Sequence, residues 1–416
     1  MTAPRRWLTT LATPILVSAL ALMGVLALGP KVALGSDKDP SFPERLDGLR
    51  VTGKIRIASD SEGSVAAWDP EHKLLGRWDR RGELVESCVL HDSTLPTDAA
   101  DFAVRDDRAL LSFFNAAVEE QGGRRELVVD LRRCEVVSTF AVKGITTELV
   151  GTSDGWVQFS SPDELQSGRF RFSILDEKGK VVDELDVDRP LAQLVKEKKY
   201  KAPLGPYDMR PFVLGKEVWG IPSGVYELWR PPQHGKPFRR VAPPNCLAAQ
   251  GQELTGQENV QHVLELSKNW PDEVRESIER GAKHGGLAPS FLSPTSHIKV
   301  WDRFVAVQVR DWKATGAERV DVWNMDTESI VAVVGIPGTA SLVAFNDSGL
   351  WLKVDEGRLE QLPLPDLWPE KYDACAAAEE LKTGKVAPAQ SKEPPPSTSG
   401  ASTDQSTSLP GTKPPG

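Results

Sequence analysis

Gly151-Thr152-Ser153-Asp154-Gly155 fits the G-x-S-x-G pattern of a nucleophile elbow, where a strand turns sharply into a helix and presents the serine hydroxyl for acyl transfer. The residues that follow, Trp156-Val157-Gln158-Phe159, alternate as a strand does. The required helix is therefore missing, and the segment reads as a glycine-rich hairpin turn. The six histidines, His72, His91, His234, His262, His284 and His297, show neither H-x-H nor H-x-x-x-H spacing. A zinc site needs ligands that converge, so most of these read as loop residues. Asp186-Val187-Asp188 and Asn324-Met325-Asp326-Thr327-Glu328 place oxygen ligands two apart, as calcium loops do, but lack the rest of that signature and sit where hairpin turns belong. Asn346-Asp347-Ser348 matches a glycosylation sequon. No catalytic, cofactor-binding or metal-binding residue is assigned, no cofactor is expected, and the reading leans against an enzyme.

Cysteines and tryptophans are the other residues with chemistry to offer. Cys88, Cys134, Cys246 and Cys375 stand outside any C-x-x-C, which weakens zinc and redox readings. An even number in an exported chain supports one or two disulfides, with three pairings open. Trp68, Trp78, Trp156, Trp219, Trp229, Trp301, Trp312, Trp323 and Trp351 recur in or beside strands. They could stack on a sugar, but large flat side chains are also what packed sheets need, and packing is the better reading.

The N-terminus reads as an export signal. Arg5 and Arg6 precede an uncharged run from Trp7 to Pro30, and Ala33-Leu34-Gly35 supplies small residues for cleavage before Ser36. An uncleaved run of that length would instead anchor the protein through residues 7–30, with the folded part still outside. That segment holds Arg5, Arg6 and Lys31 and no acid, so its loss takes the net charge from -9 to -12. Such an acidic surface repels phosphate backbones, and no nucleic-acid partner is expected. Membrane contact is expected only through the N-terminal segment, if it is retained.

Positioning of any site falls to the strands. After a linker over 36–45, the chain is a series of strand runs with polar turns. One element repeats: a hydrophobic strand ending in Asp, a polar turn, and a second strand. It occurs at Leu75–Val85, Leu127–Val137, Ser173–Val182, in degenerate form at Tyr226–Pro232, and at Val320–Val331. The first four copies are 51, 46 and 54 residues apart, and the last follows after 94, one period plus an insertion. A period near fifty residues is what four-stranded propeller blades give, and a blade hides its apolar faces only against other blades. A shorter unit, Ala340–Phe345, Leu350–Val354 and Leu359–Leu364, lacks one strand; Leu46–Ile57 could supply it and close the ring.

The expected fold is thus all-β, a six-bladed β-propeller over 46–380, or seven-bladed if a divergent blade lies within Arg189–Pro211. Residues 1–35 form the signal or anchor helix. Val260, Val263, Leu264 and Leu266, then Val274 and Ile278, carry helical spacing, so a helical insertion is expected over about 256–286 on the rim. From 387 to 416 the chain is Pro-, Ser- and Thr-rich with no aromatic residue, and reads as a disordered tail.

These blade units, the insertion before the fifth, and the closing Ala344-Phe345-Asn346-Asp347-Ser348-Gly349-Leu350-Trp351-Leu352-Lys353-Val354 resemble the exported six-bladed β-propeller proteins of bacteria, which are similar to NHL-repeat propellers. The resemblance covers roughly Leu46–Leu364 and departs from the NHL pattern in lacking its regular Gly-Asn signature. It implies a periplasmic or secreted protein, and its fold hosts many functions. Two are expected from the sequence. The first is a non-catalytic binding or scaffold propeller of the cell envelope, holding a protein or other envelope ligand at its rim or helical insertion. The alternative is a metal-dependent hydrolase or lactonase whose carboxylates meet at the central channel.

Overall fold

The computed structural model describes residues 41–52, 55–91, 99–113, 123–143, 146–160, 171–187, 209–222, 224–249, 251–254, 290–310, 318–364 and 372–383, with scattered positions between 257 and 280. The export segment, the tail, Trp312, His262, His284, Asp188 and almost all of the 256–286 insertion lie outside the described residues.

Six antiparallel sheets follow one another along the chain, each with its strands in sequence order. The first holds β1 (Arg56–Ser59), β2 (Val65–Asp69), β3 (Leu74–Trp78) and β4 (Leu84–Val89). The second holds β5 (Ala99–Arg105), β6 (Arg108–Phe113), β7 (Gly123–Asp130) and β8 (Glu135–Lys143). In the third are β9 (Thr146–Thr152), β10 (Gly155–Ser160), β11 (Arg171–Leu175) and β12 (Val181–Asp186), and in the fourth β13 (Met209–Leu214), β14 (Glu217–Pro222), β15 (Leu228–Arg230) and β16 (Arg239–Val241). A two-stranded pair, β17 (Gln252–Leu254) and β18 (Ser290–Leu292), brackets the insertion. The fifth sheet is β19 (Thr295–Trp301), β20 (Phe304–Arg310), β21 (Glu318–Asn324) and β22 (Ser329–Ile336), and the sixth β23 (Ser341–Asn346), β24 (Gly349–Lys353) and β25 (Leu359–Leu362).

The first strands form a closed circuit: β1 lies beside β5, β5 beside β9, β9 beside β13, β13 beside β19, β19 beside β23, and β23 beside β1. The chain is a six-bladed propeller. Its apolar residues divide the same way, into clusters that each join two neighbouring blades. Trp68 packs between blades 1 and 2, Trp156 between 2 and 3, Trp229 between 3 and 4, Trp323 between 4 and 5, and Trp78 and Trp351 between 6 and 1. All six are buried, so they are interblade packing and not a sugar platform. Middle strands, sandwiched between two neighbours, are buried on both faces, as in Phe304–Val309 of β20; the outer strand β12 is mostly exposed.

The repeated Asp has a structural cause. Asp79 Oδ1 accepts from the Arg81 and Glu83 amides at 2.8 and 3.0 Å, and Asp176 Oδ1 from Lys178 and Lys180, both at 2.9 Å. Gly82 and Gly179 hold the left-handed position of these turns at φ 77° and 76°. In the second and fifth blades Cys134 and Glu328 take that position, at φ 57° and 50°.

Ring closure differs from the expectation in detail. Arg56 and Ile57, the end of the Leu46–Ile57 segment expected to close the ring, belong instead to the inner strand of blade 1, Arg56–Ser59, which pairs with Val65–Trp68. The residues beside the sixth sheet are Leu49–Val51: Arg50 bridges Arg358, and the Val51 amide donates to Gly357 O at 2.7 Å. The segment before them straps blade 1, with Leu46 N donating to Gly82 O and Leu84 N to Glu44 O. The linker also belongs partly to the fold: buried Phe42 lies edge-on to Trp78, ring centroids 5.3 Å apart. Asn346 clasps the ring from the other side. Fully buried, it donates from Nδ2 to Gly63 O at 3.1 Å and Arg80 O at 2.9 Å, so its side chain serves blade 1 and is closed to glycosylation.

One helix was not anticipated: α1 (Ala374–Lys382), capped by Asp373, whose carboxylate accepts from the Cys375 and Ala376 amides. Ala374 and Ala378 pack into the cluster of blades 4 and 5, and α1 covers the outer strand β22, where Leu381 lies against Gly335.

Candidate functional site

Basic side chains gather where the inner strands of blades 4, 5 and 6 begin. Arg210, second in β13, donates to the carbonyl of Ser296, second in β19. A bulge after Thr295 then sets His297 and Lys299, two apart, on one face of β19. Lys353, last in β24, is opposite Ser341, the first residue of β23, which runs beside β19. Arg310 ends β20 at the same level. The His297 side chain is exposed near the start of β19, with these strands crowded around it. Burial, then the charges of Lys299, Arg210, Arg310 and Lys353, drop its pKa to about 3, so it is a neutral imidazole at pH 7.

The carboxylate at this end, Glu318, is buried and committed. It accepts from Arg310 and from Gln308 Nε2, while Gln308 Oε1 accepts the Leu342 amide at 2.8 Å and ties blade 5 to blade 6. The arrangement places a neutral imidazole among the basic ends of three blades.

No protein-family model matches the chain, and no curated protein matches it in sequence. Solved structures resemble it at low similarity. They include a protein described as exported from Bacteroides fragilis, at 11% identity over 74% of this chain and 86% of that one, TM-score 0.36. The β-propeller domain of the Trilobed protease from Pyrococcus furiosus is 9% identical over 75% and 93%, TM-score 0.35. Kluyveromyces lactis Hsv2p is 10% identical over 76% of each chain, TM-score 0.37. Similarity this low carries no inference about activity or partner, and none of the three shows a likeness to NHL-repeat propellers. The six-bladed ring stands on the described sheets themselves.

Other residues singled out in the sequence are dispersed. Gly151–Gly155 is the hairpin turn between β9 and β10 of blade 3. Asn324–Ser329 is the turn between β21 and β22, and Asn324 Oδ1 is occupied by the Asp326 amide at 3.0 Å. His72 sits in a turn with Nδ1 2.7 Å from Asp69 Oδ2, and His234 is a turn residue at φ 50°. His297 departs from the loop reading, being a strand residue of the inner ring. Among the described residues no three His, Cys, Asp or Glu side chains converge as metal ligands. Cys246 and Cys375 are joined as a disulfide, Cα atoms 5.7 Å apart. Cys88 and Cys134 are free thiols facing each other between blades 1 and 2, and burial, with the neighbouring thiol, pushes Cys88 far above its ordinary pKa.

Asp60, in the turn after β1, gives a pH prediction. Its Oδ1 accepts from the Glu62 and Ser64 amides at 3.0 and 2.9 Å, while Oδ2 is buried without a partner. Burial raises its pKa from 3.8 to about 6 against the pull of those two amides. The folded state thus holds its proton more tightly than the unfolded chain, and the stability due to that proton is lost as pH rises from about 4 to about 6, by up to about 3 kcal/mol. Asp60→Asn keeps the acceptor without the charge. Urea unfolding from pH 4 to pH 8 should show the variant lacking this fall and exceeding the parent at pH 7 by about 1–2 kcal/mol.

Proposed function

We propose that this chain is a non-catalytic binding propeller of the bacterial cell envelope, periplasmic or secreted, or held at the inner membrane by residues 7–30 where the leader is retained. The observation that carries the binding reading is the set of inner-blade ends of blades 4, 5 and 6, where the charges of Arg210, Lys299, Arg310 and Lys353 reach His297. The basic start and apolar run of the N-terminus support export, and the Cys246–Cys375 bond suits an oxidising compartment. Among the described residues no helix is long and apolar enough to cross a membrane. A protein or other envelope ligand would meet the rim, with the 256–286 segment as a docking element.

Metal content separates this reading from a hydrolase. The purified exported chain is expected to carry no stoichiometric calcium or zinc, and a chelator should leave its Tm unchanged. A stoichiometric divalent ion whose removal lowers Tm would overturn the binding reading in favour of the enzyme. Mass analysis of the exported chain tests the leader, with Ser36 expected as first residue.

A further inference from the structure

We propose that Cys88 and Cys134 form a redox latch between blades 1 and 2, a dithiol that closes to a disulfide by exchange with the disulfide of an oxidising partner and reopens under milder reduction than Cys246–Cys375 requires. The latch goes beyond the binding reading above and does not depend on it.

The two sulfurs come from different blades. Cys88 lies in β4, the outer strand of blade 1, and Cys134 in the turn between β7 and β8 of blade 2. Contacts beside them fix their approach. Glu86, two residues before Cys88, pairs at 3.7 Å with Arg132, two residues before Cys134, and Arg132 also reaches Asp107, between β5 and β6, at 3.3 Å. Arg77, opposite Glu86 in the sheet, donates to that carboxylate at 3.0 Å and to Asp106 O at 2.8 Å. Cys134 Sγ then donates at 3.4 Å to the carbonyl of Val89, the residue after Cys88, and the two thiols hydrogen-bond to each other. Both pack against the apolar cluster shared by blades 1 and 2, yet each keeps part of its surface in solvent, where a second molecule's sulfur can meet it.

The backbone at Cys134 favours a residue without a side chain. At φ 57° it holds the left-handed conformation that Gly82 and Gly179 take in the matching turns of blades 1 and 3, and cysteine is not among the residues that adopt it readily. Glycine would relieve that strain and lose the thiol that faces Cys88.

The pair differs from Cys246–Cys375, which is bonded in the same structure, in what its open form keeps. Reduced, Cys134 has the Val89 carbonyl and Cys88 has Cys134 as hydrogen-bond partners, and closing the bond gives up both. Interactions that favour the dithiol make the disulfide easier to reduce, and partly exposed sulfurs exchange readily.

Closure takes two exchange steps. The Cys134 thiolate, its proton lost to solvent, attacks one sulfur of the partner's disulfide, forming a mixed disulfide and releasing the partner's other sulfur as a thiolate. Cys88 then loses its proton to solvent and attacks the Cys134 sulfur, which breaks the mixed disulfide and releases the second partner thiolate. The cysteine pair is oxidised by two electrons, and the partner's disulfide is reduced to two thiols. Burial and the neighbouring thiol keep Cys88 protonated, which makes it the second sulfur to react. Without a disulfide to exchange with, the pair stays reduced.

The test equilibrates the exported chain in glutathione buffers running from reduced to oxidised, quenches with acid, alkylates the remaining thiols and maps the peptides by mass. A peptide linked through Cys88 and Cys134 is expected at the oxidised end and should vanish in buffers that leave Cys246–Cys375 linked. Between two buffers that bracket closure, Tm should rise by about 3 °C or more, since the bond cross-links two blades in the unfolded chain. The Cys88→Ala/Cys134→Ala double variant, folded and with Cys246–Cys375 intact, should show no such rise. Absence of the linked peptide in every buffer, including capture of the thiols as glutathione adducts alone, overturns the proposal. A link that persists until Cys246–Cys375 has opened, or a wild-type rise in Tm no larger than the variant's, overturns it as well.

Discussion

Cys375→Ser is expected to lower the unfolding free energy of the exported chain by about 2–5 kcal/mol, measured by urea denaturation without reductant. The bond joins residues 129 apart in sequence, Cys246 in the loop after blade 4 and Cys375 at the start of α1. Cross-linking so long a stretch removes many conformations from the unfolded chain, and the chain-entropy estimate for a loop of that size is close to 5 kcal/mol. Losses in the native state add little, because α1 keeps its Asp373 cap and the contacts of Ala374 and Ala378. Wild-type protein in reductant should unfold where the variant does. A change under about 1 kcal/mol would mean that the bond merely decorates a helix already fixed by packing.

What the sequence makes legible follows from where its information is local. Hairpins at Asp79, Asp130, Asp176 and Asn324 announce themselves because a carboxylate or amide oxygen must accept turn amides. Among the described residues the same motif is missing from the sixth blade for a physical reason: the place beside its third strand goes to Leu49–Val51, from the other end of the chain. Sequence spacing alone could not tell whether the Leu46–Ile57 stretch served blade 1 or blade 6. It serves both.

The basic surroundings of His297 were illegible for the same reason in reverse. His297 was one of six histidines without ligand spacing, and its neighbours Arg210 and Lys353 belong to other blades. The one local signal was His297-Ile298-Lys299-Val300, polar and apolar residues alternating at strand spacing, which marks a face turned from the core. The helix α1 escaped notice because Ala374-Cys375-Ala376-Ala377-Ala378 has no apolar stripe to read; its burial depends on small residues fitting beside β22 and on the disulfide. The glycosylation match at Asn346 failed because burial, invisible in three letters of sequence, decides whether that amide is available.

Near the disulfide lies a fully buried carboxylate, Asp321, and it carries the second large prediction. Asp321 is fully buried, and its Oδ1 receives Arg319 Nε at 2.8 Å. Arg319 Nη2 also donates to Leu247 O at 2.7 Å, next to Cys246, so one guanidinium pairs the carboxylate and holds the cysteine loop. The Tyr226 hydroxyl stands beside the carboxylate and accepts from Trp323 Nε1 at 2.7 Å, while Asp321 Oδ2 has no partner of good geometry. Burial raises the Asp321 pKa, and Arg319 opposes the rise. Arg319→Met removes the opposing charge and is expected to destabilise the protein by about 3–5 kcal/mol at pH 7, because it strands a buried carboxylate. The sign of the pH dependence separates this from lost packing. With its folded pKa lifted further, Asp321 in the variant is protonated at higher pH, so the deficit against the parent should shrink as pH falls toward 5. Adding Asp321→Asn to Arg319→Met should recover most of the loss at pH 7, giving a coupling energy of more than about 1 kcal/mol in the double-mutant cycle. A deficit independent of pH, with no recovery in the double variant, would show that Arg319 acts through Leu247 and the cysteine loop instead of through the charge it faces.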